Sequence, residues 1–403
     1  MHSLCHKPID DMLQLNHSES KPSPTQPHHP SQVIVLSMKN VTKESILGVG
    51  SFNTVFDVKV HGIDGFSRER SYALKCLNRS FTSSDRVVWH GGRDLAVEAR
   101  LLSKLNHKNI IKMHGVSDAT FSELDATSAS CHEHFLLLEA LERETLENKL
   151  KALTKFKVPY HDKDEAAMDR VRHIATGIAK GLEHLHENDI VLRDRKPANV
   201  GFDKSGCLKL FDLGLAREIH TIGERQIAGT LSYMAPEIVL GRKATLKSDI
   251  YSFGILLWEV ISLKRAFKKF PSCPMQFKEN VVIGSWRPSL STIPSKALRK
   301  LVNDCWDSDP EKRPTITKVL EVLNTESPYW ISPKKNSKSK LKLLKTLVSP
   351  LTPLVKTIRF NIGSGPSSRS HLSSLEKEDA LEEASLKEAF RQNFIASIDS
   401  LDI

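Results

Sequence analysis

The spacing of apolar residues changes several times along the chain. Up to about residue 38 there is no period: Ser, Pro and His crowd the run SESKPSPTQPHHPSQ. That composition buries too little apolar surface to offset chain entropy and predicts a disordered lead-in. From Val41 β-rich runs (SIL, then VFDVKV) flank a glycine turn, and Tyr72–Leu77 alternates around a single lysine. Residues 93–105 set Leu95, Leu102 and Leu105 on one side of a predicted helix, with Gly92 and Asp94 as start residues and a long loop, NRSFTSSDRVVWHGG, before it. Residues 117–134 are polar and read as a loop insertion. Phe135–Glu142 reads as a buried strand running into a linker, and Thr145–Leu150 opens a helix. Over residues 168–187, Val171, Ile174, Ile178, Leu182 and Leu185 recur every three or four positions, the mark of an amphipathic helix. The run ILLWEVIS that follows Ser248–Gly254 predicts a buried helix.

Composition narrows the class. A length of 403 residues allows two or three ordinary domains, or one two-lobed domain with tails, and a hydrophobic fraction of 39% fills a sizeable core. The cysteines (Cys5, Cys76, Cys131, Cys207, Cys273, Cys305) form no C-x-x-C pair, which argues against a disulfide framework or zinc site and for a reducing compartment. The N-terminus lacks the basic start and apolar run of a signal peptide. The longest apolar stretches, such as Tyr251–Val260, are too short to span a bilayer. The expected location is cytoplasmic, with the nucleus as the second. The net charge is +10, but residues 331–360 hold eight Lys/Arg and no Asp/Glu, so most of the excess sits in a tail. The balanced middle gives no reason to expect nucleic-acid binding. The basic run PKKNSKSKLKLLK reads first as a solvated tail and second as a nuclear signal or anionic-membrane contact. An acidic stretch, LEKEDALEEASLKEAF, follows it.

Candidate chemistry concentrates between Val191 and Gly214. Asp194 and Asn199 stand five residues apart, Lys196 lies two after the aspartate, and Asp212 follows Asn199 by thirteen. Two oxygen ligands (Asn199, Asp212), a base (Asp194) and a cation (Lys196) are the parts phosphoryl transfer needs, since its catalysis is mostly positioning and charge neutralisation. Upstream, the turn at Gly48–Val55 lets backbone N–H groups approach phosphate oxygens with no side chain in the way. Lys75 sits among Ala73, Leu74, Cys76 and Leu77, a setting that calls for an acidic partner, and Glu98 in the middle of the next helix supplies one. Singly, each of these is an ordinary turn residue, hairpin glycine or solvated lysine. Their order along the chain is what is specific.

That order resembles eukaryotic protein kinases. Gly48-Val49-Gly50-Ser51-Phe52-Asn53-Thr54-Val55 is similar to the glycine-rich loop, Leu192–Asn199 to the catalytic loop, Asp212-Leu213-Gly214 to the magnesium loop and Ala235-Pro236-Glu237 to the A-P-E motif. Cys305-Trp306…Asp309-Pro310…Arg313-Pro314-Thr315, with Gly284–Pro288 before it, resembles the tyrosine-kinase-like serine/threonine group. The resemblance covers about residues 44–326. Three positions depart: Asn53 at the third glycine, Leu192 for His and Leu213 for Phe.

The resemblance implies an α+β, bilobal protein-kinase fold with a small β-rich N-lobe carrying one helix and a larger, mainly helical C-lobe. The domain would run over 39–328 (N-lobe about 39–141, C-lobe about 142–328), between a disordered tail at 1–38 and a mostly disordered one at 329–403. It implies ATP held by Gly48, Val49, Gly50, Ser51, Val55 and Ala73, with the backbone of Glu139 and Leu141 on adenine, Leu138 beside it, and Lys75 on the phosphates with Glu98 as partner. Asp194 would orient the substrate hydroxyl, Lys196 neutralise the moving phosphate, and Asn199 and Asp212 hold Mg²⁺. Asp249 would tie down the catalytic loop, and Arg313 would pair with Glu237. The implied partners are protein substrates and an upstream kinase acting on the 212–237 segment. Thr221 is the candidate site there, with Arg193 as its basic partner, and Thr230 bridges Asp194 and Lys196. Ser349 and Thr352, each before proline, are further candidate sites. Asn53, Leu192 and Leu213 carry the alternative, a catalytically weak pseudokinase or scaffold. A small-molecule kinase is disfavoured by the A-P-E segment and the C-W…R-P-T ending.

Overall fold

A computed structural model describes residues 34–50, 52–77, 85–117, 134–155, 165–268, 270, 274–293 and 295–325. The expectations placed on residues 1–33, Ser51, most of the 117–134 insertion, Ser349, Thr352 and both charged stretches of the C-terminal tail lie outside the described residues.

A six-stranded sheet comes first. It is built from β1 (Ile34–Leu36), β2 (Val41–Val49), β3 (Asn53–Val60), β4 (Tyr72–Leu77), β5 (Met113–Ser117) and β6 (Phe135–Glu139), in the order β1-β5-β6-β4-β3-β2. All ladders are antiparallel except β1 with β5. Alternation along β4 sorts its two faces. Tyr72, Leu74 and Cys76 join Val58, Val60, Phe135, Leu137 and Leu36 in a buried core. Ala73 and Lys75 face the other way, with Val55 opposite Lys75 on β3 and Leu136 opposite it on β6. This second face receives helix α1 (Asp85–Lys104), which buries Leu95, Leu101 and Leu102.

Two sequence expectations change here. The edge strand β1 falls in the stretch read as a disordered lead-in. Its run VIVL was too short to register a period, and its docking depends on a glycine elsewhere: a Cβ on Gly115 would stand 2.6 Å from Ile34 O. The first helix also starts eight residues before Arg93 and takes in part of the supposed long loop. Gly91 and Gly92, read as loop or start residues, lie inside it. A Cβ on Gly91 would come within 3.0 Å of Phe52 and 3.2 Å of Leu77, so the glycine permits close packing on the sheet.

The C-terminal part is mainly helical: α2 (Leu146–Lys155), α3 (Glu165–Glu187), the short α4 (Pro236–Val239), α5 (Leu246–Ser262), α6 (Pro274–Phe277), α7 (Lys296–Cys305) and α8 (Ile316–Thr325). Helix α5 is buried from Ser248 to Ile261 and starts in a capping box formed by Thr245 and Ser248. Between α3 and α4 the chain runs through short strands β7 (Ile190–Val191), β8 (Val200–Phe202), β9 (Leu208–Leu210) and β10 (Arg217–Glu218). β7 pairs with β10 and β8 with β9. Residues Phe267–Trp286 form a compact unit of their own, with edge-on ring contacts between Phe267 and Phe277 and between Phe270 and Trp286. No described helix is long and apolar enough to cross a membrane.

Candidate active site

The site begins with a lysine whose sequence neighbours are buried. Lys75 is itself buried on β4, and its ammonium lies 2.6 Å from Glu98 Oε2 and 2.6 Å from Asp212 Oδ1. Burial alone would push the ammonium's pKa down, but the charges of Asp212 and Glu98 outweigh it and hold it above the usual lysine range. The Lys75 charge likewise keeps Asp212 below the usual carboxylate range. At Glu98 burial works the other way and pushes the carboxyl up, opposed by Lys75. The second Glu98 oxygen accepts the Leu213 N–H at 3.0 Å, so helix α1 grips both the lysine and the loop that carries Asp212.

Asp212 stays 46% exposed and takes φ +63°, a left-handed conformation uncommon outside glycine though tolerated better by Asp than by most residues. Arg193, just before Asp194, has φ +67°. Such backbone persists only where its surroundings over-determine it, and it clusters at functional sites. Asp249, buried at the start of α5, does the holding here: its carboxylate accepts the backbone N–H of Leu192 at 2.8 Å and of Arg193 at 3.1 Å. His186 at 3.1 Å and the wholly buried Arg195 complete its partners. Burial would raise the Asp249 pKa, but Arg195 and His186 outweigh it and leave it lowered.

Within the loop so fixed, Asp194 Oδ1 accepts the Thr230 hydroxyl at 2.7 Å and Oδ2 lies 3.0 Å from Lys196 Nζ. Lys196 also donates to Thr230 at 3.3 Å. The Asn199 amide donates to the Asp194 carbonyl at 3.0 Å and carboxylate at 3.1 Å, which leaves its own oxygen as the atom able to meet a metal. Phe211 N donates to Asn199 O at 3.2 Å, bringing the Asn199 and Asp212 loops side by side. Two oxygen donors suit Mg²⁺, which prefers hard ligands and keeps part of its shell for waters and phosphates. Among the described residues there is no cluster of three or more His, Cys, Asp or Glu side chains able to hold a metal on its own.

The nucleotide-side residues are also placed. Gly48 stands opposite Val55 on the face that carries Lys75, and a Cβ built on it meets nothing within 4 Å, so open space lies over the strands there. Gly50 N donates to Asn53 O at 2.7 Å and closes the turn. Asn53, at the third glycine's place, lies in extended backbone because it already belongs to β3. Ala73 pairs across the ladder with Leu138. The Glu139 N–H is spent on Lys112 O at 2.9 Å, and its carboxylate binds Lys209 at 2.8 Å. Only the Glu139 carbonyl is therefore available to a base. Leu141 reaches over Gly201, where a Cβ would stand 2.8 Å from its Cδ1 and 3.2 Å from the Phe211 ring.

Leu192 and Leu213 are both buried. Arg313 makes two 2.8 Å bonds to Glu237, and both side chains are buried. Tyr233, in the same segment as Thr221 and Thr230, is buried, with its hydroxyl donating to Glu259 at 2.7 Å. Sequence reasoning gave no role to Arg195 or to His186, the two side chains that hold Asp249.

Residues 41–323 match the protein kinase domain family. Among curated proteins, the chain is 27% identical over 295 residues to a probable serine/threonine-protein kinase of Dictyostelium discoideum, covering 73% of this chain and 20% of that one. It is 28% identical over 292 residues to the dual specificity protein kinase shkC of the same organism, covering 71% and 51%. It is also 28% identical over 305 residues to human mitogen-activated protein kinase kinase kinase 7, covering 75% and 45%. The chain thus spans from a fifth to about half the length of these relatives. With a matched region that holds every charged residue of the site, the chain belongs to the protein kinase domain family.

Proposed function

We propose that this chain is an ATP- and Mg²⁺-dependent protein serine/threonine kinase of the tyrosine-kinase-like group. The observation that carries the reading is the single constellation of Lys75, Glu98 and Asp212, joined through Asn199 to Asp194 and Lys196.

Each residue has a task in that reading. Gly48, Val49, Gly50 and Val55 roof the nucleotide, and Ala73 and the backbone of Glu139 and Leu141 hold the base. Lys75, fixed by Glu98, binds the inner phosphates. Asn199 and Asp212 hold Mg²⁺, which when bound neutralises phosphate charge. Asp194 accepts a hydrogen bond from the incoming hydroxyl and takes its proton as that oxygen bonds to the γ-phosphorus, the bond from phosphorus to the bridging oxygen breaks and ADP leaves. Lys196, on the same carboxylate, balances charge on the moving phosphate. Preorganised charge of this kind contributes most of the rate gain in such catalysis. The pseudokinase reading loses ground because Leu192 and Leu213 only replace side chains in the core and supply no charge to the site.

Protein substrates, a cytoplasmic location and an upstream kinase acting on the 212–237 segment belong to the same proposal. The test is transfer from labelled ATP to a generic basic protein, followed by hydrolysis to phosphoamino acids. Label on serine and threonine, lost with Asp194→Asn, is the expected result. Equal labelling by wild type and variant, or label on tyrosine alone, would overturn it.

A further inference from the structure

Charged side chains outside the transfer machinery cross between helix α1 and the strand that follows Asp212. Asp94, one turn before Glu98, accepts Arg217 Nη2 at 2.8 Å. Further along the helix, Arg100 and Lys104 bind the two oxygens of Glu218 at 2.9 and 3.1 Å. The signs are crossed: acid then bases on the helix, base then acid on the strand. A one-residue slip of β10 would set like charges together, so the pattern fixes register as well as contact. Asp94 and Arg217 are 22% and 15% exposed, and Arg100 and Glu218 25% and 13%, a shelter that lifts these two pairs above the value of solvated ones, whereas Lys104 is 57% exposed. Burial would raise the Glu218 pKa, but its bonds to Arg100 and Lys104 leave it lowered.

The same two strand residues tie the neighbouring loops together. Arg217 also donates to Gly214 O at 2.6 Å and Ala216 O at 2.8 Å, closing the turn behind Asp212. Arg217 and Glu218 pair with Val191 and Ile190, the strand that leads into Asp194. Ile219 N donates to Asp189 O at 2.8 Å. Arg193 lies near enough to Arg217 and Asp94 to feel both charges. A carboxylate on the helix therefore already supplies the negative charge that a phosphate would bring to this basic pair.

We propose that Asp94, Arg217, Glu218 and Arg100 are positioning residues that hold helix α1, and with it Glu98, on Lys75 without any phosphate on the 212–237 segment. The proposal rests on the kinase reading of the site. An upstream kinase then tunes an enzyme that is already on.

The experiment uses the full chain co-expressed with a phosphatase, shown phosphate-free by intact mass, against the same chain phosphorylated. The phosphate-free chain is expected to transfer phosphate within about threefold of the phosphorylated one. Asp94→Arg or Arg217→Asp alone should each lower kcat about tenfold by shifting the helix population, and the double swap should recover most of the loss. Glu218→Gln provides a second variant of gentler chemistry, expected to lower kcat in the same direction, and thermal melts confirm that each variant folds. A phosphate-free chain that is silent while the phosphorylated one works overturns the proposal. So does a double swap no better than either single variant. Silence of both forms would instead bring down the kinase reading on which it stands.

Discussion

Lys75 shows how far a single residue can be read before its surroundings are known. Its apolar neighbours in sequence demanded a partner, and Glu98 was legible as that partner from its place in a helical pattern. Asp212 as a second partner was not, because 137 residues separate the two and no local pattern encodes the contact. Replacing Lys75 by Met should lower kcat/KM by about 10²-fold or more while ATP still binds weakly, because a charge aimed at the transition state is lost. Steady-state kinetics at varied ATP checks this. Arg195 illustrates the converse. It sits in the run Arg193-Asp194-Arg195-Lys196, whose composition reads as solvated, yet it is wholly buried on Asp249. Asp249 was expected at the catalytic loop, but that Arg195 is its partner is shown only by the fold. Breaking the fully buried Arg313–Glu237 pair by Arg313→Ala should destabilise the chain by about 3–5 kcal/mol, since it strands Glu237 uncompensated. Urea unfolding of wild type and variant measures it.

Among elements, long amphipathic patterns were the most legible. Helices α3 and α5 stand where apolar periodicity put them, with Val171, Ile174, Ile178, Leu182 and Leu185 all buried. The start of α1 and the whole of β1 were not legible, because both rest on glycines that allow close approach rather than on a period. The Gly115→Ala substitution should therefore displace β1, for its Cβ would meet backbone that cannot swing aside. Faster hydrogen exchange across Ile34–Leu36 and Met113–Ser117 is the expected sign. The sheet also holds a pH-sensitive group. His114 packs edge-on against Tyr72 and Phe66, and burial, reinforced by Arg70, Lys112 and Lys209, brings its pKa down to about 4. The unfolded chain takes up that proton near pH 6.5. Between those values the unfolded state binds more protons, so this histidine's contribution to stability falls as pH drops from about 6.5 towards 4. Melting temperatures of wild type and His114→Gln should converge across that window. Parallel curves would contradict the assignment.

At the scale of the whole molecule, the catalytic parts come from elements spread over more than a hundred residues: a lysine on β4, a glutamate on α1, and carboxylates and an amide on loops braced by α5. The order of the motifs was readable because each has a fixed local form. Their convergence was readable only in part: the resemblance named Asp249 as the tie on the catalytic loop, but Arg195, His186 and the crossed charges between α1 and β10 leave no local signature. The central claim is that Asp194 acts on the chemical step and not on nucleotide binding. Single-turnover transfer of γ-phosphate, with ATP affinity measured separately by titration, tests it most directly. For Asp194→Asn the account gives a chemical step slowed about 10²- to 10³-fold at nearly unchanged ATP affinity. A variant that transfers phosphate at the wild-type rate, or that loses ATP binding in proportion to its activity, would contradict it.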